Sequence, residues 1–533
     1  MEKRITILFS IFMILICCVI FNLYFLSQVN WLQEAAINQH SYRLKVAKFR
    51  GNIYDCNMKP LINKSKSMIA AVLPTIKSVE KIKKTFTSKQ MNEVLPLLSK
   101  ALPFTTKVNE YIAEDSGIKT FFLPQRYEEK QISPHIIGYI NSEDGLCGIE
   151  KSYNDFLSDC SGEISIKYKV DARGHILGDD KDVEVRDTSY LQKRGVVLTI
   201  DEQIQQLLQN AMEKQIKKGA AIIIKVPSAE IKACVSLPDF SPEKLGDVIN
   251  SNNSPLLNRV FSSYNLGSIF KLVTAAAALE NNISEETKFD CKGKLEVDST
   301  QFNCFTGEHG EVNMESAMQH SCNGYFIRLL EMISLDKMLD ISSRLGFGQS
   351  CEIAPGMFSD KGNLPKLSDL KSRADIASFS FGQGLLTATP LQVAELTNVI
   401  ASEGNFVKPR LVEGFVNESL NYIEKFEKIE SQRVISKETA RILKKFMKTS
   451  LEKGTSSVAR PVNVSAAAKT STAQTGRKIG DEELVQAWFS GIFPYENPRY
   501  AFVIFSEDVK KGGGHECGPI FTQVVDKMIE MGM

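Results

Sequence analysis

Almost no net charge remains when the 64 Lys and Arg residues of this chain are set against its 63 Asp and Glu residues. A balance of this kind gives no electrostatic footprint for a polyanion, so we expect no nucleic-acid partner. The chain also contains no low-complexity segment and no internal repeat, and its 43% hydrophobic content predicts a globular protein. With 533 residues it is too long for one ordinary core, which predicts at least two domains.

Charged side chains are absent between Arg4 and Glu34, where the run ITILFSIFMILICCVIFNLYFL is long enough to span a bilayer. A cleaved signal peptide is the alternative, but its apolar region is shorter and no small-residue cleavage site follows Leu26. We therefore expect residues 1–27 to form a cytoplasmic tip and an uncleaved single-pass anchor. Lys3 and Arg4 precede the apolar run, so the positive-inside tendency places the rest of the chain outside the cytoplasm.

Metal-ligand spacing is missing among the 11 cysteines, two of which fall in the apolar segment. We therefore expect no metal and no cofactor. Only Cys291 and Cys304 are a candidate disulfide pair, since they flank a short Gly-containing stretch. The alternative is that the cysteines are small buried hydrophobic residues in a reducing habitat.

Two regions follow the anchor. Residues 28–194 are polar, with short apolar runs and turn signals such as NSEDG, which predicts an irregular β-rich domain. A second domain, 195–533, begins near the strand-like VVLTID and continues with the amphipathic QIQQLLQNAMEKQIKKG and the apolar AAIIIKV. Later signals predict helices after Ser268, at 390–400 and at 437–451, strands at AWFSGIF and RYAFVIF, and a last helix at FTQVVDKMIEM.

The pair Ser268 and Lys271 is the first candidate for chemistry. It follows the turn-like YNLG and opens the helical SIFKLVTAAAALE, so both side chains lie on one face, one turn apart. A serine needs a base, and a lysine among apolar residues can have its pKa lowered enough to act as one. The alternative is a capping serine with a surface lysine. Other S-x-x-K matches hold an acidic residue, as a solvated helix start does: Ser78, Ser241, Ser334 and Ser368.

Two further segments complete the pattern. Ser321-Cys322-Asn323 lies between helical runs, which predicts a tight loop, although an ordinary Asn-Gly turn has the same signal. Lys469-Thr470-Ser471-Thr472 lies among small residues before a strand, where a substrate backbone can pair with an edge strand and the lysine and threonines can hold a carboxylate. A second K-T-S, at Lys448, ends a charged helix and is interpreted as surface.

S-x-x-K, S-x-N and K-T-G in this order mark acyl-enzymes that react with penicillin, and the chain resembles a class B penicillin-binding protein over nearly its whole length. The further motifs that carry the resemblance are RGNIYD, GLCGIEKSYNDFL, KVDARGHIL, the His309-Gly310 pair, SFGQGLLTATPLQVAELTNVIASEG and AWFSGIFP. The resemblance implies an α+β fold in which the transmembrane helix precedes a β-rich pedestal of the dimerisation type. A transpeptidase domain follows, with an antiparallel sheet covered by helices on both faces.

By that resemblance the protein is a monofunctional peptidoglycan D,D-transpeptidase. Ser268 would be the nucleophile and Lys271 its base, Ser321 and Lys469 would relay a proton, and Asn323 would bind the donor amide. Thr470, Ser471 and Thr472 would bind substrate, and the backbone N–H groups of Ser268 and Thr472 would form the oxyanion hole. The implied partners are stem peptides, as D-Ala-D-Ala donor and amine acceptor, β-lactams, a membrane glycan polymerase acting in trans, and a second copy in a homodimer.

Two positions depart from the family pattern. Ser471 replaces the Gly of K-T-G, which normally leaves room for close backbone approach, and the entry motif has DCN where an Arg usually follows the Asp. The competing interpretations are a D,D-carboxypeptidase or β-lactamase, and a non-catalytic scaffold or β-lactam sensor. Cys322, between two catalytic-loop residues, is a further candidate, either as a redox switch or as a buried spectator.

Overall fold

The protein is represented by a computed structural model, which describes residues 2–27, 41–100, 102–113, 117–141, 143–171, 173, 175–177, 183–427 and 429–533. The predicted start of the pedestal, at residue 28, lies outside these residues, as do positions 172 and 174 of KVDARGHIL. The chain forms two compact units. The first comprises Met1–Arg50, Ser65–Gln125 and Cys160–Gln192, and the second comprises Gly51–Lys64, Arg126–Asp159 and Lys193–Met533. Two internal segments of the predicted pedestal and its last two residues thus belong to the second unit, and the boundaries 28–194 and 195–533 stay a prediction.

The helices of the described residues include one long apolar helix and many short ones. They are α1 Glu2–Ser27, α2 Ile76–Thr85, α3 Ser88–Leu98, α4 Pro134–Ile137, α5 Gly148–Ser152, α6 Asn154–Asp159, α7 Glu202–Gln215, α8 Lys271–Glu280, α9 Met314–His320, α10 Asn323–Glu331, α11 Leu335–Arg344, α12 Arg373–Ser380, α13 Pro390–Ala401, α14 Lys437–Lys453, α15 Gly513–Glu516 and α16 Gly518–Glu530. Short 3-10 turns occupy Ser189–Lys193, Leu245–Asp247, Gly267–Phe270, Leu367–Asp369 and Ser457–Ala459.

The strands are mostly short, and the longest lie near the end of the chain. They are β1 Ser41–Lys48, β2 Asn52–Tyr54, β3 Lys66–Val72, β4 Phe104–Val108, β5 Ile118–Pro124, β6 Glu163–Lys169, β7 Glu184–Asp187, β8 Gly195–Leu198, β9 Gly219–Lys225, β10 Glu230–Leu237, β11 Tyr264–Asn265, β12 Phe289–Cys291, β13 Lys294–Val297, β14 Thr300–Asn303, β15 Gly310–Val312, β16 Glu352–Ala354, β17 Met357–Phe358, β18 Thr387–Ala388, β19 Asn405–Phe406, β20 Val412–Val416, β21 Tyr422–Lys425, β22 Gln432–Arg433, β23 Ala467–Ile479, β24 Glu482–Phe493 and β25 Tyr500–Val509.

Helix α1 carries exposed apolar side chains along its described length. An 18-residue window of its segment Lys3–Ser27 has a mean hydropathy of 2.7, and the segment is long and apolar enough to cross a membrane. The expectation of a helix that could be a single membrane span is confirmed at this level.

The first unit contains two three-stranded antiparallel sheets. Strand β6 lies between β1 and β7, and β3 lies between β4 and β5. Helix α2 buries Ile82 and helix α3 buries Val94 in the same core as β3 and β4. The β-rich character predicted for this part of the chain is therefore present in the described residues.

A five-stranded antiparallel sheet, in the order β10-β9-β25-β24-β23, organises the second unit. Successive strand side chains point to opposite faces, and in β9 the residues Ile222 and Ile224 join one core while Ala221 and Ile223 join the other. Helices α8, α13 and α14 supply the first core, and α7 and α16 supply the second. This confirms the predicted antiparallel sheet with helices on both faces and explains why residues 220–224 of AAIIIKV are all apolar.

Strand β23 is at the end of this sheet, with β24 as its only sheet neighbour in the described residues. The strands and helices predicted in the second domain all occur, with bounds shifted by a few residues. One detail differs: the helix expected to begin at Ser268 starts as the 3-10 turn Gly267–Phe270, and its α-helical part begins at Lys271.

Candidate active site

Ser268 lies in the 3-10 turn that leads into α8. Side chains three residues apart lie on the same side of a 3-10 turn, so the Lys271 side chain lies directly above that of Ser268. Gly267, with φ of +67°, opens the turn, and an added Cβ there would lie 2.6 Å from Oγ of Ser471. The turn is also tied to the sheet, because Nδ2 of Asn265 donates to the Gln474 carbonyl at 3.0 Å. The nucleophile candidate is therefore held at a fixed place beside β23.

The Lys271 side chain is fully buried, and its Nζ lies at the centre of the site. Nζ is 3.0 Å from Oγ of Ser268, 2.6 Å from the carbonyl oxygen of Ser321 and 2.7 Å from Oδ1 of Asn323. Burial lowers the pKa of Lys271 from 10.5 to about 7, because the charged form loses its hydration. A large fraction of this amine is therefore neutral at neutral pH.

A neutral lysine has two N–H donors and one lone pair. The two oxygens at 2.6 Å and 2.7 Å, from Ser321 and Asn323, can only accept, so they take the two N–H groups. The lone pair is then left for a hydroxyl proton, and Oγ of Ser268 is at 3.0 Å. This arrangement can deprotonate the serine.

Ser321 ends α9 in the left-handed region, with φ of 55° and ψ of 42°. That conformation is costly for a residue other than Gly or Asn, and here it turns the Ser321 side chain between two lysines. Its Oγ is 3.1 Å from Nζ of Lys271 and 3.2 Å from Nζ of Lys469. The predicted loop between two helices is thus confirmed, and its hydroxyl connects both candidate bases.

Lys469 lies on β23 and is also fully buried. Its Nζ donates to the carbonyl of Thr470 at 2.9 Å. Burial, and in second place the positive charge of Lys271, hold the pKa of Lys469 well below its ordinary value. Two lysines with lowered pKa values therefore share one hydroxyl, which is a route for moving a proton.

The three residues after Lys469 point in alternate directions along β23. The buried Ser471 donates its hydroxyl to the Leu266 carbonyl at 2.6 Å, beside the space left by Gly267. Thr470 donates to Oγ1 of Thr455 at 3.0 Å, and Thr472 is exposed. The serine that replaces the Gly of K-T-G is thus accommodated beneath the nucleophile turn.

A family model described as the penicillin binding protein transpeptidase domain matches residues 219–526, more than half of the chain. The chain belongs to the penicillin-binding protein transpeptidase family. All three motif segments of this transpeptidase-family protein lie inside the matched region.

Curated relatives of this penicillin-binding protein are distant in sequence. Stage V sporulation protein D of Bacillus subtilis (strain 168) is 27% identical over 445 residues, which cover 79% of this chain and 65% of that protein. Peptidoglycan D,D-transpeptidase FtsI of Escherichia coli (strain K12) is 23% identical over 414 residues, 75% of this chain and 66% of that protein. The chain thus spans slightly less than two thirds of each.

Among solved structures, the complex between penicillin-binding protein PBP2 and MreC from Helicobacter pylori has a similar fold. Its TM-score is 0.68 at 22% identity, over 92% of this chain and 99% of that chain. This likeness concerns the fold alone, and it extends beyond the matched transpeptidase domain.

Sequence reasoning did not find every residue of the site in this penicillin-binding protein. Asn303, whose carbonyl accepts from Nδ2 of Asn323 at 2.8 Å, has no sequence signal. A cluster of cysteines below the Ser321–Asn323 loop was also missed: Cys291, Cys304 and Cys322 lie together with His309. Cys291 and Cys304, the candidate disulfide pair, have sulfur atoms 3.7 Å apart and are not joined by a disulfide.

Proposed function

We propose that this protein is a serine-type peptidoglycan D,D-transpeptidase that uses the side chains of Ser268, Lys271, Ser321, Asn323 and Lys469. Ser268 attacks the carbonyl of the penultimate D-Ala of a stem pentapeptide, the terminal D-Ala leaves, and an amine of a neighbouring stem takes the acyl group. The observation that carries the proposal is the fully buried Lys271 amine, 3.0 Å from Oγ of Ser268. The family match supports the class of reaction.

In the acylation step the lone pair of Lys271 takes the Ser268 proton as the new C–O bond forms. Ser321 then passes a proton to the leaving amine, since its hydroxyl lies within 3.2 Å of both lysine amines. The second step repeats these transfers in the opposite direction, with the acceptor amine losing its proton as it attacks. Splitting one displacement into two steps is the usual gain of covalent catalysis.

Substrate binding is assigned to the edge of the sheet. The donor peptide lies against β23 as an added strand, Asn323 binds its amide, and the hydroxyls of Thr470 and Thr472 bind its terminal carboxylate, with Ser471 shaping the strand from beneath. The backbone N–H groups of Ser268 and Thr472 face the developing oxyanion. β-Lactams occupy the same place and acylate Ser268.

Helix α1 anchors the protein in the cell membrane, with its N-terminus in the cytoplasm and the catalytic unit outside. The apolar run that follows Arg4, and the basic residues Lys3 and Arg4 at the start of the helix, support this orientation. A glycan polymerase in the same membrane supplies the strands that are cross-linked. The Helicobacter pylori protein of similar fold is found with MreC, which supports a partner of the shape or division type.

Transpeptidation and hydrolysis are separated by one assay. The full-length protein in detergent is given an acyl-D-Ala thioester as donor and increasing D-Ala as acceptor, and amide product, free acid and released thiol are measured. We expect the amide to grow with acceptor at the expense of the acid, and Ser268→Ala to release no thiol. Ser368→Ala, at an exposed S-x-x-K serine, is the matched control and should behave like the wild type.

Free acid alone at every acceptor concentration would make the protein a D,D-carboxypeptidase or β-lactamase. No thiol release by the wild-type protein would favour the scaffold or sensor interpretation.

A further inference from the structure

Three cysteines and one histidine converge beneath the candidate active site, although they are scattered along the sequence. Cys291 ends β12, Cys304 follows β14, His309 precedes β15, and Cys322 lies in the loop between α9 and α10. The sulfur atoms and one ring nitrogen all lie within 4.8 Å of one another. The three cysteines are buried and the histidine is half-buried.

Three of the six distances between ligand atoms in this cluster match the edges of a tetrahedron around a zinc ion. With Zn–S bonds of about 2.3 Å and a Zn–N bond of about 2.0 Å, the ligand atoms should be about 3.8 Å (S to S) and about 3.5 Å (S to N) apart. Sγ of Cys304 is 3.7 Å from that of Cys291 and 3.8 Å from that of Cys322, and Sγ of Cys291 is 3.4 Å from Nδ1 of His309. A disulfide would need about 2.05 Å.

The surroundings of the four ligand atoms also suit a metal. The other ring nitrogen of His309, Nε2, lies 2.6 Å from Oγ1 of Thr306, which is the outer-shell contact that orients a ligating imidazole. Backbone N–H groups point at two sulfurs, from Gly293 to Cys291 at 3.5 Å and from Tyr325 to Cys322 at 3.4 Å. Such donors stabilise thiolates.

We propose that Cys291, Cys304, His309 and Cys322 bind one structural zinc ion that fixes the Ser321–Asn323 loop. Three thiolates and one imidazole are soft and borderline ligands in tetrahedral geometry, which favours zinc over magnesium or calcium. Since the protein fills all four positions, no water or substrate reaches the ion, so the zinc holds structure and takes no part in acyl transfer.

The zinc ion would affect catalysis by holding the Ser321–Asn323 loop in place. Cys322 is the residue between Ser321 and Asn323, so a bond to its sulfur holds both neighbours in the loop. Cys304 follows Asn303, whose carbonyl holds Nδ2 of Asn323 at 2.8 Å. The zinc thus ties the hairpins around β12–β15 to the loop that contacts Lys271.

Metal content of the full-length protein, purified in detergent without added metal or chelator, tests the proposal first. We expect one equivalent of zinc per chain in the wild type and in Cys351→Ser, a control at a buried thiol outside the cluster. Cys304→Ser should lose the zinc. Wild-type protein that acylates fully with benzylpenicillin but contains no metal would overturn the proposal, as would a Cys291–Cys304 disulfide found by peptide mapping.

Spectroscopy on the wild type keeps the test independent of whether a variant folds. After exchange of zinc for cobalt, we expect the visible bands of a tetrahedral Co²⁺ ion and a thiolate-to-cobalt charge-transfer band. X-ray absorption at the zinc edge should give three sulfur neighbours and one nitrogen. A six-coordinate oxygen environment would refute the site.

The proposed link to the active site, which rests on the proposed function, is tested by removing zinc from the wild type with a chelator. We expect the benzylpenicillin acylation rate to fall at least tenfold and to recover when zinc is restored. An unchanged rate in verified metal-free protein would refute the positioning role. An absence of acylation in zinc-loaded protein would instead count against the proposed function and leave the zinc site standing.

Discussion

The pH dependence of acylation should report the buried amine of Lys271. With a pKa of about 7 in place of 10.5, about half of this lysine is neutral at pH 7, against about one molecule in 3,000 for an ordinary lysine. Burial therefore raises the population of the base about 1,500-fold at neutral pH. The acylation rate should fall about tenfold per pH unit well below pH 7 and level off above about pH 8.

The assay is the second-order rate of benzylpenicillin acylation by the full-length protein, measured from pH 5.5 to 10 over the range where the protein remains folded. Lys271→Ala should lower the plateau rate by about 10²- to 10⁴-fold, the usual contribution of a general base. Lys448→Ala, at the other K-T-S segment on α14, is the matched control and should keep the wild-type profile. A rate that keeps rising to pH 10 without levelling would mean that the base has an ordinary lysine pKa, and the reasoning would fail.

Three further predictions concern stability, all measured by denaturant unfolding. Gly267→Ala should lower the free energy of unfolding by about 2 kcal/mol, because the φ of Gly267 is +67° and the new Cβ would lie too close to Oγ of Ser471. Adding Ser471→Gly should restore part of that loss. If the effects of the two substitutions simply add, this packing is contradicted. Burial raises the pKa of Glu395 from 4.5 to about 8, so between pH 4.5 and about 8 the folded state keeps a proton that the unfolded state loses. The free energy of unfolding should therefore fall as the pH rises through this range, by at most about 1.4 kcal/mol per pH unit. Glu395→Gln should flatten that slope, and an equal slope in both proteins would contradict it. Glu507→Ala should lower the free energy of unfolding by about 3 kcal/mol, because the buried Arg259 loses its carboxylate partner at 2.7 Å. A change below 1 kcal/mol would show that this ion pair contributes little to stability.

The candidate catalytic side chains could be named from the sequence, although each local pattern also has an ordinary structural explanation. Ser268 follows a turn and opens an apolar helix, Ser321 interrupts two helical runs, and Lys469 precedes a long strand. The order of these segments, with the family's other motifs, selected them from several rival matches. Their roles stay proposals, but hydrogen-bond contacts link them in series, from Ser268 to Lys271, from Lys271 to Ser321 and from Ser321 to Lys469.

The direction of the Ser471 side chain could not be predicted in this way. Gly at this position of the family pattern normally leaves room for close backbone approach, and the sequence left the effect of a serine there open. In the structure the strand turns this side chain beneath the nucleophile turn, where Gly267 leaves room and the Leu266 carbonyl accepts its hydroxyl. Which face a residue occupies depends on strand register, and register is set by long-range pairing.

The cysteine cluster was hidden for a related reason. Its four residues come from two short hairpins and a loop, and no spacing rule for zinc sites describes such a combination. The cysteines are far apart in the sequence, so they were expected to be scattered in the fold as well. The pairing of β12 with β15 instead brings Cys291 and His309 close together. The redox role considered for Cys322 stays a prediction, and a bound zinc would protect its thiolate from oxidation.

The central claim, that Ser268 forms the acyl-enzyme, is tested most directly by intact mass spectrometry of the full-length protein after exposure to benzylpenicillin. The account predicts one covalent benzylpenicillin adduct per chain in the wild type, located on the peptide that contains Ser268, and none in Ser268→Ala. An adduct that persists in Ser268→Ala, or a wild-type protein that forms none, would contradict it.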